Sequence, residues 1–551
     1  MDIYIFSVFG SLLIYFLIGN LAGRKVKGID DYFVAGRNAP SFLIVGTLVA
    51  SYLSTGLFLG ETGFAYDGFP YLMLALSLIS VNGCYLGAIF FGRYLRKSEA
   101  LTIPEFFGKR FNSHRVQKVA GITTIIGVTL YLLGVMQGTS VMLSELVGIP
   151  YWSALVIIWL VFTGFTFYSG SKGVLLTDTL MFVIFSLSGV LGSIYVINLL
   201  DGWSGILEGL GSISEKAGII TWHGYNTGDS FLQNNWQSAF WLITLGLVWA
   251  SVLAVSPWQS GRYLMAKNEH VVVRSGLLTS LCLAVIYMLL MTTGAALNLL
   301  NDSILQSERA MIWAALEVFP TFLGILTLSG IFAAGLSSCS TFLSLVGFSL
   351  SNDIFKGNND KEKTLKYGRI SILASGIFVL LIALIQPPAV MAIVWFSATL
   401  FASSWGPVGF MSIWSKRITS GGAFWGMIFG FFGNIIPAVL NKVGVISLPV
   451  YFDPVIIGAV LSIGAIVFFS RGVTPSADEK TYLEKLHLPD SSLTNKKEVR
   501  VTVLVSSFVV LAGIATSIFM LDNYASTLKG LESYGFVTEG DILGGYILSF
   551  L

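Results

Sequence analysis

Four hydroxyl-bearing side chains stand within five positions of an otherwise apolar stretch: Ser337, Ser338, Ser340 and Thr341. If this stretch is an α-helix, three of them share one stripe with Ala334, and Ser340 lies about 60° beyond that stripe. Small residues let membrane helices approach closely, and a serine or threonine can also bond back to its own helix. Hydroxyl oxygens are equally the ligands that a hard cation such as Na⁺ prefers. The spacing therefore indicates either a packing face or an alkali-cation site.

A second polar cluster interrupts an apolar segment nearer the start of the chain, in the sequence ASYLSTG from Ala50 to Gly56. Its hydroxyls and glycine make a poor uninterrupted helix, although a glycine-containing packed helix is the alternative interpretation. A membrane helix that is broken at mid-depth frees main-chain carbonyls, which supply cation ligands without the full cost of a buried carboxylate. The sequence thus offers carbonyl oxygens as well as hydroxyls for an alkali cation.

Ionisable side chains are costly inside a membrane and therefore mark functional or paired positions. Asp178 lies at one end of an apolar segment, where it faces protein, water or a cation, or else pairs with Lys172 at the interface. Three glutamates lie near the ends of other apolar segments, and we expect structural or gating roles for them: Glu61, Glu145 and Glu317.

Apolar segments dominate the composition, since 54% of the 551 residues are hydrophobic and 11% are charged. A soluble domain has about 25% charged residues, so this composition predicts a polytopic membrane protein. The segments are too long and too uniformly apolar for barrel strands, and we expect an all-α fold. Fourteen spans are predicted, at 3–22, 41–65, 70–92, 118–147, 150–168, 174–199, 237–260, 272–299, 312–350, 370–386, 389–413, 421–441, 451–470 and 501–521.

The distribution of basic residues predicts the orientation of these spans. With the N-terminus outside, 28 of the 32 Lys and Arg residues fall in inside loops. This bias predicts a multi-pass protein of the cell membrane with both termini outside. We find no HExxH motif, no CxxC pair, no P-loop and no loop long enough for a fused catalytic domain, so we expect no enzyme. The net charge of +2 is spread over loops and gives no reason to expect nucleic acid as a partner.

Five short motifs follow one another along the chain: DDYFVAGR (Asp30 to Arg37), LTIPEFFGKRF (Leu101 to Phe111), GSKGVLLTD (Gly170 to Asp178), Ala-x-x-Ser-Ser followed by Asn352 to Phe355, and WSKRITSGGAFWGMIFG (Trp414 to Gly430). Each motif alone is weak. Together and in this order they resemble the solute:sodium symporter family over nearly the whole chain.

The resemblance implies a LeuT-like fold, in which two sets of five helices repeat with inverted topology. An N-terminal extra helix and inside loop then cover 1–40, the first repeat 41–199 and an outer loop 200–236. The second repeat covers 237–413, and three additional helices with a short tail cover 414–551. The interrupted segment would be the first core helix, and the hydroxyl-bearing segment would be the eighth.

The resemblance also implies where sodium binds. Carried over by motif, the family's principal sodium site falls on carbonyls and hydroxyls of Ala50, Leu53, Ala334, Ser337 and Ser338. Some members bind a second sodium, for which the matching positions are Asp178, Ser337, Ser340 and Thr341. One or two Na⁺ are therefore expected as coupling ions, and two are favoured because this chain keeps the extra hydroxyls.

The solute site should lie between the broken helices at mid-membrane. The residues predicted to contact the solute are Ser54, Thr55, Gly56, Trp249 and Ser251, with Ser256, Gln259, Asn82 and Ser397 as further candidates. Sugar-transporting members carry Asn and Gln where this chain has Tyr52, Leu57 and Trp249, which disfavours a polyol. Because the N-terminus of a broken helix can hold a carboxylate, a small carboxylate or amino-acid-like solute is favoured.

The resulting hypothesis is electrogenic, Na⁺-coupled symport of a small organic solute by alternating access. A channel or a substrate sensor on the same fold, and H⁺-coupled uptake through Asp178, are the alternatives. The expected partners are the solute and the lipid bilayer, without an obligate protein partner.

Overall fold

The computed structural model describes residues 2–24, 26–216, 218–225, 232, 234–355, 361–385, 390–489, 491–532 and 537–551. The regular structure of these residues is helical. The first ten helices are α1 (Asp2–Gly23), α2 (Ile29–Val34), α3 (Ser41–Tyr52), α4 (Thr62–Tyr66), α5 (Pro70–Gly87), α6 (Arg93–Ser98), α7 (Ile103–Arg110), α8 (His114–Val147), α9 (Tyr151–Leu199) and α10 (Gly202–Gly211).

The remaining helices are α11 (Asn235–Val255), α12 (Pro257–Tyr263), α13 (Glu269–Ala296), α14 (Ala310–Trp313), α15 (Thr321–Phe348), α16 (Lys361–Ile385), α17 (Val390–Trp414), α18 (Ser420–Lys442), α19 (Pro454–Ser470), α20 (Ala477–His487), α21 (Lys496–Met520), α22 (Ser526–Leu531) and α23 (Glu539–Phe550). Wider π-type turns lie at Gly56–Glu61, Ala88–Gly92, Ala314–Val318, Ser349–Ile354 and Leu521–Ala525. Short 3₁₀ turns lie at Ala35–Arg37, Ser214–Lys216, Leu297–Leu299, Ser307–Arg309, Val450–Phe452 and Ser491–Thr494.

The helices confirm a multi-pass, all-helical membrane protein. Within the described residues, ten are long and apolar enough to cross a membrane, or eleven when the bent pair Ser41–Tyr52 and Gly56–Tyr66 is counted as one span. The predicted number of fourteen is not confirmed. The difference arises because Tyr151–Leu199 counts as one helix although it bends at Gly170, α19 has 17 residues, and α17 is not among the long apolar helices.

Helix α9 turns a corner at Gly170, which has φ 54° and ψ −148° inside an otherwise helical run. Glycine adopts this positive φ readily, and a Cβ here would lie 2.5 Å from the Tyr32 carbonyl oxygen. Helix α2 packs into the corner, where the Tyr32 hydroxyl donates to the Phe167 carbonyl at 2.9 Å and the Ser171 hydroxyl donates to the Phe33 carbonyl at 2.6 Å. The corner divides α9 into two apolar stretches, where two separate spans were predicted.

Two helices of the core are interrupted. Helix α3 ends at Tyr52, and the chain resumes its helical course at Gly56 with a bend of 55°. Helix α11 ends at Val255, Ser256 is extended with φ −62° and ψ 148°, and α12 begins with Pro257. Proline suits the first position of a helix because its missing N–H needs no partner there. Helix α15 packs against α3, α8 and α9, so it lies beside the first interruption.

Two of the sequence motifs meet at one end of α8. The Asp353 carboxylate accepts hydrogen bonds from the Thr102 side chain at 2.8 Å and the Gln117 side chain at 2.9 Å. The Asn352 amide donates to Asp353 at 3.0 Å and to Glu105 at 3.2 Å. The LTIPEFFGKRF motif and the Asn-Asp pair are therefore parts of one polar cluster that fixes α7 against the end of α15.

The C-terminal helix α23 packs on the loop that precedes α11. His223 Nε2 lies 2.8 Å from Asp541 Oδ1, and the Tyr524 hydroxyl donates to the Ile220 carbonyl at 2.8 Å. The Tyr524 ring also stacks on Tyr71, with 4.2 Å between the ring centroids. These contacts join the loop and the tail, the two segments that the charge bias predicts on the outer side.

The hydrogen bonds of Asp541 make this contact sensitive to pH. Burial alone would raise the pKa of Asp541, but hydrogen bonds from His223 and Thr538 outweigh it and lower the pKa below the ordinary 3.8. Docking of the tail thus favours the ionised form of the Asp541 carboxyl group. Its contribution to stability is complete above the pKa of the undocked group and is lost as the pH falls through the pKa of the docked one.

We predict that Asp541→Asn weakens the docking of α23 by about 1 kcal/mol, because a charge-assisted hydrogen bond contributes at least that much. Hydrogen exchange of the amides in 537–551 measures the docking, and Glu539→Gln is the control because Glu539 is exposed on the same helix. After correction for intrinsic rates, exchange in the wild type should rise below about pH 4, whereas Asp541→Asn should show no such rise. If the amides of 537–551 are equally protected in Asp541→Asn and Glu539→Gln, Asp541 does not hold the docked tail.

Candidate functional site

The interruption that follows α3 is built around Ser54. Leu53 leaves the helix with φ −74° and ψ 108°. The Ser54 side chain accepts a hydrogen bond from the Gly56 N–H at 3.0 Å, and the Ser54 carbonyl accepts one from the Leu57 N–H at 3.1 Å. Ser54, predicted as a solute ligand, therefore caps the second half-helix, a position for which serine is a preferred residue.

The hydroxyls of α15 face this interruption. The Ser337 hydroxyl lies 2.9 Å from the Ala50 carbonyl oxygen and 3.0 Å from the Ala334 carbonyl oxygen. The Ser338 hydroxyl lies 3.5 Å from the same Ala50 oxygen. All four residues, and Leu53 beside them, are fully buried. Four of the five residues predicted for the principal Na⁺ site thus form one buried cluster of neutral oxygens, a set of ligands suited to a hard cation. Leu53, the fifth, is buried directly after the last residue of α3.

The close approach of α15 depends on Gly335. A Cβ at this position would overlap the Thr139 side chain of α8 and would lie 2.9 Å from the Thr55 methyl group. The backbone at Gly335 therefore lies too close to α8 for any side chain to fit, which is common where membrane helices pack through small residues. The glycine in the AAGLSS sequence is therefore part of the site geometry, although only its hydroxyl neighbours were singled out from the sequence.

Asp178 is fully buried and has a protein cation beside it. Its Oδ2 atom accepts a hydrogen bond from Thr47 at 2.7 Å and one from Thr341 at 3.3 Å. The Arg262 Nη2 atom lies 3.6 Å from the same oxygen. The alternative interpretation, in which Asp178 pairs with Lys172, is wrong, because the Lys172 Nζ atom lies 3.0 Å from Asp31.

The position of Arg262 corrects the assignment of this residue to an inside loop. The chain does not leave the core at Ser256 but continues as α12, and the Arg262 side chain is 2% exposed. Its guanidinium also donates a hydrogen bond to the Thr341 hydroxyl, so Thr341 contacts both charges of the pair. The interruption before Pro257 is the sequence signal that could have revealed this second half-helix.

The residues predicted for a second Na⁺ site are only partly assembled around Asp178. Thr341 contacts the carboxylate, as described, and Ser337 is directed to the first interruption. The Ser340 hydroxyl donates instead to the Ser337 carbonyl of its own helix at 2.9 Å. Ser340 thus makes the back-bond typical of helical serines. A second Na⁺ at this place stays a prediction.

The residues predicted to contact the solute lie on the interrupted helices, and each has different surroundings. Thr55 is 1% exposed, and its hydroxyl has no hydrogen-bond partner within the part of the chain that the structure describes. Trp249 is 6% exposed, and its ring meets Tyr52 edge-on. Ser251 is half-buried on α11 beside α17, where a Cβ added to Gly406 would lie 2.6 Å from the Ser251 hydroxyl.

Further residues at the interruptions were not central to the sequence interpretation. The Gln259 amide donates to the Leu48 carbonyl at 3.1 Å and to the Ser51 hydroxyl at 3.2 Å, and so links α12 to α3. The Tyr52 and Tyr287 rings lie 6.3 Å apart near the end of α3. Tyr287 gave no signal in the sequence, because an aromatic residue in an apolar helix is most often a packing residue.

Comparisons with known proteins agree with this geometry. The model of the sodium:solute symporter family matches residues 32–430. The sodium/proline symporter of Haemophilus influenzae is 26% identical to this chain over 77% of the chain and 85% of its own length. The sodium/pantothenate symporter of the same organism is 23% identical over 80% of this chain and 90% of its own length.

A solved structure supports the fold. The substrate-bound, outward-open state of a Na⁺-coupled sialic acid symporter aligns with a TM-score of 0.71, covering 86% of this chain and 98% of that protein. The two sequences are 20% identical over the alignment, so the likeness concerns the fold alone. It confirms the LeuT-like arrangement expected from the motifs.

We predict that Asp178→Asn lowers the free energy of unfolding by about 3–5 kcal/mol, because it leaves the buried Arg262 charge without its counter-charge. Asp31→Asn is the matched control, and it should cost at most about 1 kcal/mol because the Asp31–Lys172 pair is partly exposed. Unfolding of the purified proteins in Na⁺-free potassium buffer measures both effects without a bound sodium ion. Equal losses of stability would contradict a structural role for the buried pair.

Proposed function

We propose, from the premise that the chain belongs to the sodium:solute symporter family, that it carries a small organic solute across the membrane together with Na⁺ by alternating access. The family and the relatives that match are transporters rather than enzymes, and the same holds for this chain. The number of ions, the solute and the transport cycle are parts of the proposal.

One observation carries the sodium proposal: the hydroxyls of Ser337 and Ser338 converge on the carbonyl of Ala50 at a helix interruption. In the absence of an ion, the Ser337 hydroxyl donates to that carbonyl. With Na⁺ between them, the hydroxyl would turn so that both oxygens face the ion, and Leu53 and Ala334 would add their carbonyls. No proton need leave, because every one of these oxygens coordinates a cation while neutral.

The proposed second Na⁺ site has to accommodate Arg262. The guanidinium lies beside the only carboxylate of that site, so Na⁺ and Arg262 compete for Asp178 and for the Thr341 oxygen. We propose that a second ion enters when α12 moves Arg262 away, and that Ser340 and Ser337 then complete the ligand set. Two ions would double the electrical drive, since each charge that crosses gains about 2.3 kcal/mol per 100 mV.

The solute would bind beside the interruptions, near Thr55, Gly56, Trp249 and Ser251. Interrupted helices are suited to this role because they leave oriented N–H and C=O groups at mid-membrane. We further propose the finer topology of fourteen spans with an inverted five-plus-five repeat in the plasma membrane. The strong bias of basic residues supports a placement of both termini outside.

We predict that Ser337→Ala weakens Na⁺ binding at least about tenfold, because one ligand oxygen is lost while the helix packing is kept. Thermal stabilisation of the purified protein by increasing Na⁺ measures the affinity by linkage. Ser344→Ala is the matched control, since the Ser344 hydroxyl is buried in the same helix and donates to the Ser340 carbonyl at 2.8 Å. If Na⁺ stabilises Ser337→Ala and Ser344→Ala equally, the proposed principal Na⁺ site is wrong.

The stoichiometry follows from ion and solute fluxes in proteoliposomes. We predict about two Na⁺ per solute in the wild type and about one in Asp178→Asn, because the variant loses the charge that favours the second ion. A ratio of one in the wild type, unchanged in the variant, would exclude the second site. Solute that accumulates without a Na⁺ gradient would favour H⁺ coupling, and flux that never accumulates solute would favour a channel.

A further inference from the structure

A cavity lies at one face of the protein, away from the two interruptions. The span Pro70–Ser98 ends at this face, and the spans His114–Val147 and Ser420–Lys442 begin there. Helix α20 lies against α6 and α7, and the Lys97 amine of α6 donates to the Leu486 carbonyl of α20 at 3.0 Å. Between α20 and the end of α17 is a cavity of about 700 Å³, which we call the α20 cavity. It has the size of a ligand site, and neither the sodium nor the solute proposal uses it.

Arg110 of α7 holds the walls of the α20 cavity together. Its guanidinium donates to the Ser412 carbonyl at 2.5 Å and to the Ser415 carbonyl at 3.5 Å, both at the end of α17. It also donates to the Glu479 carbonyl of α20 at 3.2 Å. These partners are main-chain oxygens, and no ion pair includes Arg110 in the described part of the chain. Arg110 therefore adds a positive charge to the wall that no carboxylate neutralises by direct contact.

The two acids that line the cavity differ in their surroundings. Both carboxylate oxygens of Glu479 accept main-chain hydrogen bonds, from the Ser420 N–H at 2.9 Å and from the Ser476 N–H at 2.6 Å. The buried Glu479 thus binds the first turns of α18 and α20, where a negative charge is favourable. Glu484 is exposed on α20. Only Glu484 is therefore an acid without a structural task in this cavity.

Two lysines supply further positive charge. Lys416 follows the end of α17 and Lys480 lies on α20, and both line the cavity and are exposed. Neither lysine takes part in an ion pair within the residues that the structure describes. With Arg110 they make three permanent cations against Glu479 and Glu484. The α20 cavity consequently has an excess of positive charge and favours an anionic ligand.

An apolar strip leads from the membrane span to this cavity. Leu86 and Phe90 are exposed and lie four residues apart in the span Pro70–Ser98, so they share one face. The Trp414 indole lines the cavity, donates to the Phe90 carbonyl at 2.9 Å and meets the Phe90 ring edge-on at 5.8 Å. Exposed tryptophans are typical of the membrane interface. A ligand with an alkyl chain could thus lie along the strip while its polar end enters the cavity.

We propose that the α20 cavity binds the phosphate group of an anionic phospholipid, whose acyl chain lies along Leu86, Phe90 and Trp414. Lys416 and Lys480 would contact the phosphate. Basic pockets at the membrane surface are suited to such headgroups, and the bias of basic residues predicts this face to be the inner one, whose lipids carry negative charge. The apolar strip favours a lipid over a soluble phosphate. The bound lipid would join α20 to the end of α17.

Ligands that differ in the headgroup or in the acyl chains test the proposal. The purified full chain in detergent is titrated with phosphatidylglycerol, with phosphatidylcholine of the same acyl chains, and with soluble glycerol 3-phosphate. Na⁺-free potassium buffer keeps the result independent of the sodium site. We expect phosphatidylglycerol to raise the melting temperature at a concentration at least about tenfold below that of phosphatidylcholine, and glycerol 3-phosphate to have no effect at that concentration.

Three outcomes of this titration overturn the proposal. Equal stabilisation by phosphatidylcholine would show that the anionic charge is not recognised. Equal stabilisation by glycerol 3-phosphate would indicate a site for a soluble phosphate instead of a lipid. Absence of stabilisation by phosphatidylglycerol would show that the chain has no such site.

Double variants locate the effect at the cavity. Lys416→Gln with Lys480→Gln should weaken the binding of phosphatidylglycerol at least about tenfold, because each basic residue near an anionic lipid surface strengthens binding about fivefold. Lys416→Arg with Lys480→Arg keeps both charges and should retain the affinity. The matched control is Lys442→Gln with Lys529→Gln, two exposed lysines at the opposite face. If the glutamine variant of the cavity binds the lipid as tightly as this control, the lipid does not bind there.

The exposed acid of the cavity provides a test with the opposite sign. Glu484→Gln removes a negative charge near the proposed phosphate and should strengthen the binding of phosphatidylglycerol at least about twofold. Because Glu484 is exposed and in no ion pair among the described residues, the variant should fold as the wild type does. Glu532→Gln, which removes an exposed acid at the opposite face, is the control. Equal affinities in the two variants contradict a phosphate in the α20 cavity.

Discussion

The hydrogen bonding of a helix that is interrupted inside a membrane is the constraint on which this structure depends. Main-chain groups released by the interruption have no water to bond, and each unsatisfied group costs several kcal/mol in apolar surroundings. The Ser54 side chain accepts a hydrogen bond from the Gly56 N–H at the start of the second half-helix, and the Ser337 hydroxyl donates one to the Ala50 carbonyl. Helix α15 must therefore lie against the interruption, which requires Gly335 and the packing of α8 and α9 around it. The proposed Na⁺ would replace these hydrogen bonds and would meet oxygens that the packing already holds close together.

The buried charges impose a second constraint on the same helices. Asp178 of α9 is held by Thr47 of α3, Thr341 of α15 and Arg262 of α12. A buried ion pair resists separation, because displacing one partner leaves the charge of the other uncompensated in a low dielectric. The second half of the second interrupted helix, α12, is thereby tied to the first interrupted helix by the Arg262–Asp178 ion pair. Any motion of α12 that moves Arg262 changes the electrostatic surroundings of Asp178, and in the proposed transport cycle this would link helix movement to cation binding.

The two interruptions give the core two polar regions of different character. Around Ser337 the hydroxyl hydrogen-bonds to the neutral main-chain carbonyls of Ala50 and Ala334. Around Asp178 the Oδ2 atom faces Arg262, while the Oδ1 atom is buried without a hydrogen-bond partner among the described residues. Neutral oxygens suit a small hard cation, whereas a cation at Asp178 would have to compete with Arg262.

Sequence alone determined the membrane class, the order of the apolar segments and the family motifs, because hydropathy and local spacing follow directly from residue order. It also predicted one group of oxygen donors from Ala50, Leu53, Ala334, Ser337 and Ser338, and the fold brings Ala50, Ala334, Ser337 and Ser338 within hydrogen-bonding distance. The partners of charged residues were decided by the tertiary structure. Arg262 was expected in a loop, and Lys172 was the alternative partner of Asp178, because residue order does not show which distant side chain an acid meets. Charge pairing acts through space between distant helices, so only the packed fold could decide it.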